Sequence, residues 1–157
     1  MQPWIVALAA FVAMEPVTYA AHRWLMHGLA EQLHRSHHRN AARATAERWE
    51  ANDVFPLAFG ALVVALMAAG FNVAGWGVLV PACLGITAYG TAYAAVHDLY
   101  IHRRFIRSTR RLPGLERLAE AHRTHHRTNG EPYGMLLPVV PRAQRSGSRP
   151  SHEPVDA

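Results

Sequence analysis

Between Val54 and Val96 the chain carries no charged residue, and between Met1 and Ala21 it carries one, Glu15. Uncharged stretches of this length belong in hydrocarbon, where only a helix or a closed barrel can satisfy its own backbone. The first block, Pro3 to Ala21, is about 19 residues, which at ~1.5 Å per residue nearly spans a ~30 Å hydrocarbon core. The second block is too long for one helix. Asn52 or Asp53 can cap its start, Val54 to Phe71 makes one span, and Asn72, Gly75 and Gly77 mark a turn. Trp76 to Val96 makes another span, with Trp76 as an interface anchor and Pro81 as a candidate kink. The expected fold class is therefore all-α: an integral membrane protein with three transmembrane helices, four at most. A soluble bundle with a buried helical hairpin is the competing fold, and two adjacent uncharged stretches argue against it.

The 157 residues include 16 basic ones, all arginine, and the net charge is +5. Such a balance could mark a nucleic-acid binder, but no nucleic-acid-binding motif accompanies it. The arginines fall between Arg23 and Arg48 or between Arg103 and Arg149, never in the turn joining the second and third spans. By the positive-inside rule both basic blocks face the cytoplasm and the N-terminus lies outside. The first block is not a typical signal peptide, because it has no basic leading region and runs straight into a histidine motif. A single cysteine, Cys83, excludes an intramolecular disulfide and a cysteine-based zinc site. Residues 1–141 form the expected domain. From Arg142 onward the composition is that of a disordered tail, 142–157, with His152 as a bystander.

Ten of the 11 histidines fall into four clusters. His22 and His27 form an H-x4-H; His34, His37 and His38 form an H-x2-H-H. His97 and His102 repeat the first spacing, and His122, His125 and His126 repeat the second. In a helix, positions i, i+3 and i+4 share a face, so each H-x2-H-H triplet can point together. The x4 pairs stand about 140° apart on an ideal helix. Each such pair either serves two different metals or sits where the helix loosens. With three spans, all four clusters end on the same side of the membrane. Neutral imidazole is a common metal ligand, and ten ligands exceed what one ion can take, so two metals are expected. Ligand type alone accepts iron, zinc, copper or nickel.

The flanks of these clusters resemble the membrane fatty-acid hydroxylase superfamily, and within it the bacterial β-carotene 3-hydroxylase family. The resemblance is carried by Met14-Glu15 ahead of HRWLMHG, by Asn52 to Phe55, and by Gly85 to Gly90, GITAYG. It continues through HDLYIHRRF from His97 to Phe105, through AHRTHH from Ala121 to His126, and through Gly130 to Pro138, GEPYGMLLP. It covers roughly residues 4 to 140. Leu99 after Asp98, and Pro16 after Glu15, depart from the family pattern without altering a ligand spacing.

The resemblance implies a non-haem di-iron monooxygenase. Two iron ions held by the ten histidines would use O2 to hydroxylate β-carotene at C3 of each β-ionone ring, giving β-cryptoxanthin and zeaxanthin. A ferredoxin-type donor would supply electrons, since the chain has no flavin or nicotinamide motif. Zinc is an acceptable occupant of the isolated protein. The alternatives are a related membrane di-iron oxygenase acting on a sterol, a fatty acid or another carotenoid position, and a non-enzymatic membrane metal-binding protein.

Other residues carry narrower expectations. Glu15 lies about two turns before His22 on the same face, and is expected to hydrogen-bond a metal-ligating imidazole; Asp98 beside His97 is a second candidate for that role. Tyr133, Met135 and Leu136 are expected to cover the site or dock the C-terminal segment. Arg103, Arg104, Arg107, Arg110 and Arg111 could receive an acidic donor or contact lipid headgroups. Gly60, Ala61, Gly85 and Gly90 either leave a groove for a polyene or allow close helix packing.

Overall fold

The computed structural model describes residues 2–41, 49–105 and 110–139. They are helical with no strand among them. Helix α1 spans Pro3–Ala20 and continues without a break into a π-helical segment, Ala21–Leu29. Helix α2 spans Glu31–Ala41. A single 3-10 turn, Ala51–Asp53, leads into α3, Val54–Asn72. Helix α4, Leu79–Ala94, also runs into a π-helical segment, Ala95–Ile101, and α5 spans Pro113–Thr128. The expected tail, 142–157, with His152, lies outside the described residues, as does Arg107.

Three continuous helical stretches are long and apolar enough to cross a membrane: Pro3–Leu29, Ala51–Asn72 and Leu79–Ile101, of 27, 22 and 23 residues. Each exceeds the ~20 residues a bilayer needs. Their outer faces keep Leu8, Val12, Leu57, Leu62, Val64 and Leu84 exposed, as lipid-facing helices do. Helix α4 lies in the middle, packed against α1 on one side and α3 on the other. Close approach to α1 depends on Gly85, where an added Cβ would meet the Ala7 carbonyl oxygen at 2.0 Å. Gly60 and Gly90, by contrast, face open space. Of the small residues, Gly85 thus serves packing and those two do not.

Two local expectations change. Pro81 does not kink the third span, because α4 begins at Leu79 and Pro81 falls in its first turn, where no intrahelical N–H is needed. Asp53 occupies the N-cap position of α3 but makes no side-chain cap there. Its carboxylate instead accepts the Glu50 backbone N–H at 2.9 Å and, as described below, a guanidinium. The turn between α3 and α4 holds as expected, with Gly75 at a positive φ of 84°.

At the polar end, imidazole takes the place of an apolar core. His22, His34, His37, His97, His122 and His125 are all buried, among the small residues Ala119 and Ala121 of α5. Past the left-handed cap Asn129, residues 130–139 return as a strap along α1.

Candidate metal centre

The first H-x4-H pair sits in the first π-helical segment, and the second runs from His97, in the second segment, to His102 at its C-cap. There the backbone closes i→i+5 turns, from Ala30 N–H to Leu25 O at 2.8 Å and from His102 N–H to His97 O at 2.9 Å. The wider turn brings residues five apart closer to one face than an α-helix does, so His22 and His27 have ring centroids 5.1 Å apart, and His97 and His102 4.6 Å. Of the two ways to read an x4 pair, the loosened helix is the one found.

The histidines converge into two sets. His22, His27, His34, His38 and His125 form one, and His37, His97, His102 and His122 the other, with the ligand atoms of each set within 4.8 Å of one another. His126 lies beside the second set, its Nε2 2.9 Å from that of His122 and its ring 4.3 Å from that of His38. The triplets on α2 and α5 therefore do not act as blocks. Each gives its middle histidine to the other's set: His37 leaves His34 and His38 for the second, and His125 leaves His122 for the first.

Behind the rings stand oxygen acceptors. His22 Nδ1–H donates to the Tyr133 carbonyl at 3.0 Å, and His125 Nδ1–H to the Gly130 carbonyl at 2.5 Å. His34 Nδ1–H donates to Asn52 Oδ1 at 2.7 Å. In the second set His37 Nδ1–H donates to Glu50 Oε2 at 2.9 Å, and His97 Nδ1–H to Asp98 Oδ1 at 3.2 Å. A proton on Nδ1 leaves Nε2 of a neutral ring with a bare lone pair. Yet His22 Nε2 faces His34 Nε2 at 3.1 Å, and His37 Nε2 faces His97 Nε2 at 3.1 Å. Protonating the rings is no remedy. Burial, reinforced by neighbouring imidazoles, lowers His34 to about 3 and holds His102 and His122 well below the ordinary histidine value. Burial likewise lowers His125 to about 4. The Nδ1 atom of His126 is buried without a hydrogen-bond partner. Lone pairs converging in a site that rejects protons fit divalent cations bound through imidazole nitrogen.

Glu15 does not hydrogen-bond an imidazole. Its carboxylate accepts the Tyr89 hydroxyl at 2.6 Å and the backbone N–H groups of Met135, Leu136 and Leu137 at 3.0, 3.2 and 3.0 Å. It holds the strap, and the strap in turn presents the Tyr133 and Gly130 carbonyls to His22 and His125. The Tyr133 ring packs edge-on against His22, His27 and His125, and Met135 is buried. A cleft of about 80 Å³ lined by His27, Glu31, His34, Arg35, His38 and Asn129 reaches the first set from the polar side.

Several contributing residues carried no signal of their own in the sequence. Glu50 precedes the uncharged block as an ordinary loop acid, and Asn52 reads as a helix cap. Arg104 reads as one of five surface arginines, but its side chain is only 5% exposed. It donates to Asp53 Oδ1 and Oδ2 at 2.9 and 2.8 Å and to Asp98 Oδ1 at 3.0 Å, and its Nε lies 3.6 Å from Glu50 Oε1. It is therefore not available to a docking partner. Burial works to raise the Glu50 carboxyl. The bonds from His37 and Asn40 and the charge of Arg104 outweigh that and hold it below the usual carboxylate range.

Comparison with known proteins identifies the family. The fatty acid hydroxylase family model matches residues 7–145. Beta-carotene hydroxylase 1, chloroplastic, of Capsicum annuum is 38% identical over 83% of this chain, and the chloroplastic beta-carotene 3-hydroxylase of an Oncidium hybrid cultivar is 41% identical over the same share. The chain spans 42% and 43% of the length of these two plant relatives. A beta-carotene hydroxylase of Paracoccus sp. (strain PC1) is 36% identical over 83% of this chain and 78% of its own length. No solved structure gives a significant match. Apolar helices that end in paired histidine sets, with a family match over nearly all of the described residues, lead to one assignment: the chain belongs to the fatty acid hydroxylase family.

Proposed function

We propose that the chain is a β-carotene 3-hydroxylase that converts β-carotene to β-cryptoxanthin and then zeaxanthin. The observation that carries this reading is the convergence of ten histidines at the ends of three apolar helices, in a chain 35–41% identical to β-carotene hydroxylases from plants and bacteria. We assign all ten, His22, His27, His34, His37, His38, His97, His102, His122, His125 and His126, as ligands of two iron ions. Bound there, iron supplies the activation of O2 that places one oxygen atom in a C–H bond and releases the other as water, with two electrons and two protons consumed.

The residues of the chain divide the remaining work. Tyr133, Gly130, Asn52, Glu50 and Asp98 hold five imidazoles in the tautomer that turns Nε2 inward. Glu15 pins the strap that carries two of those acceptors. Because the histidines gather at the polar end of the apolar helices, a C40 hydrocarbon dissolved in the bilayer can bring a terminal ring to them without leaving lipid. The cleft beside His27 and His38 opens on the polar side and gives water and protons a separate approach. In this reading electrons come from a ferredoxin-type protein, and the arginine distribution supports a cytoplasmic position for the histidines and the C-terminus.

Expression in a β-carotene-producing bacterial host, followed by pigment chromatography, tests the reading. Zeaxanthin is the expected product. Unchanged β-carotene beside well-expressed, iron-loaded protein overturns it.

A further inference from the structure

The two histidine sets are backed by different chemistry. In the first set the outer acceptors are neutral: the Tyr133 carbonyl, the Gly130 carbonyl and the Asn52 amide oxygen. In the second they are carboxylates: Glu50 behind His37 and Asp98 behind His97. The acids nearest the first set, Glu31 and Glu131, are instead engaged by Arg35 and Arg23, at 2.9 and 3.0 Å, and bond no imidazole.

One arginine ties the charged side together. Arg104 reaches Asp98 and Asp53 and lies beside Glu50, all with side chains less than a quarter exposed. Three carboxylates against one guanidinium leave a net negative charge behind the second set. The guanidinium also fixes the carboxylates in place. A carboxylate behind an imidazole raises its basicity as a ligand, and partners of this kind are worth about 10–100-fold in metal affinity.

We propose that the two sets are inequivalent metal sites, and that Glu50, Asp98 and Arg104 are positioning residues that make the His37–His97–His102–His122 site the one to load first. The proposal rests on the two-metal reading above. A divalent cation entering the metal-free protein occupies this site at a measurably lower free concentration than the first set requires, because imidazoles backed by carboxylates are the more basic ligands. The first set, backed by neutral oxygens and open to the polar cleft, holds its ion more loosely and exchanges it faster.

The test is a metal titration of the full chain in detergent, with Co²⁺ delivered from chelator buffers and ions per chain counted by mass spectrometry. Two separate steps are expected, each of one ion. His97→Ala should remove the tighter step and His22→Ala the looser one. Glu50→Gln and Asp98→Asn keep shape but remove charge, and should shift only the tighter step toward the looser one. With ⁵⁷Fe²⁺ added at one equivalent, the wild-type protein should give a single Mössbauer quadrupole doublet. A single two-ion step, or two equal doublets at one equivalent, overturns the inequivalence and leaves the two-metal reading standing. Loss of the looser step in Glu50→Gln overturns it too. Binding of fewer than two ions overturns both.

Discussion

Glu15 Oε1 accepts the Met135 backbone N–H at 3.0 Å across 120 residues of chain. This bond converts a membrane-buried acid, normally a costly group, into the anchor of the strap that orients His22 and His125. Glu15→Ala leaves three strap N–H groups short of an acceptor, each at a cost of about 1–3 kcal/mol where burial is complete, while the Tyr89 hydroxyl keeps Thr18 Oγ1 at 2.8 Å. The expected result is a lower unfolding temperature in detergent together with a fall of about 10–100-fold in metal retention. Normal metal content in a destabilised protein would separate the anchor from the site and refute the link.

The crossing of His37 and His125 predicts that either substitution to alanine damages the set opposite its own triplet. Hydroxylation should fall below detection in both variants, while the protein still inserts into membranes. Metal analysis should show His37→Ala losing the ion held with His97 and His102, and His125→Ala the ion held with His22 and His27. Zeaxanthin formation in either variant would sink the ligand assignment.

Gly85→Ala places a methyl where the Ala7 carbonyl oxygen stands 2.0 Å away, so α1 must move off α4. Overpacking of this kind costs about 1–3 kcal/mol. Gly90→Ala, five residues along the same helix, meets nothing within 4 Å and should leave the unfolding temperature unchanged or raise it slightly through better helix propensity. Equal behaviour of the two variants in thermal unfolding would contradict the packing described.

In the metal-free protein, His34 and His125 are held at about 3 and about 4, against an ordinary value of 6.5. Their folded pKa values lie below their unfolded ones, so between pH 6.5 and 4 the unfolded chain binds more protons than the folded one. Stability is therefore full above pH 6.5 and declines as pH falls through that window. Unfolding midpoints measured from pH 7.5 down to 4.5 should decrease below 6.5. A flat profile would mean that these imidazoles are hydrated.

Much of the site was legible because ligand spacing is local. A triplet at i, i+3, i+4 shares a helical face whatever surrounds it, and ten histidines in four matched clusters leave little room for another use. The division of those histidines was not legible. His37 and His38 are adjacent, and which set each joins depends on how α2 and α5 lie against each other and against the two π-helical segments. Glu50 shows the same limit, since its partner His37 lies 13 residues earlier on another element. The sign available at the entry to α3 was Asn52 or Asp53 as a cap ahead of a long apolar block, and neither pointed to Glu50.

Charge segregation together with histidine spacing determined that this chain is helical, that three stretches can span a bilayer and that its histidines gather at one end. Those properties follow from hydropathy and from the period of a helix, which act over a few turns of chain. Tertiary structure alone decided which histidines share a set, that Glu15 serves the strap and that Arg104 turns inward to carboxylates. These depend on contacts between residues dozens of positions apart, where packing and the need to pair every buried charge select the partner.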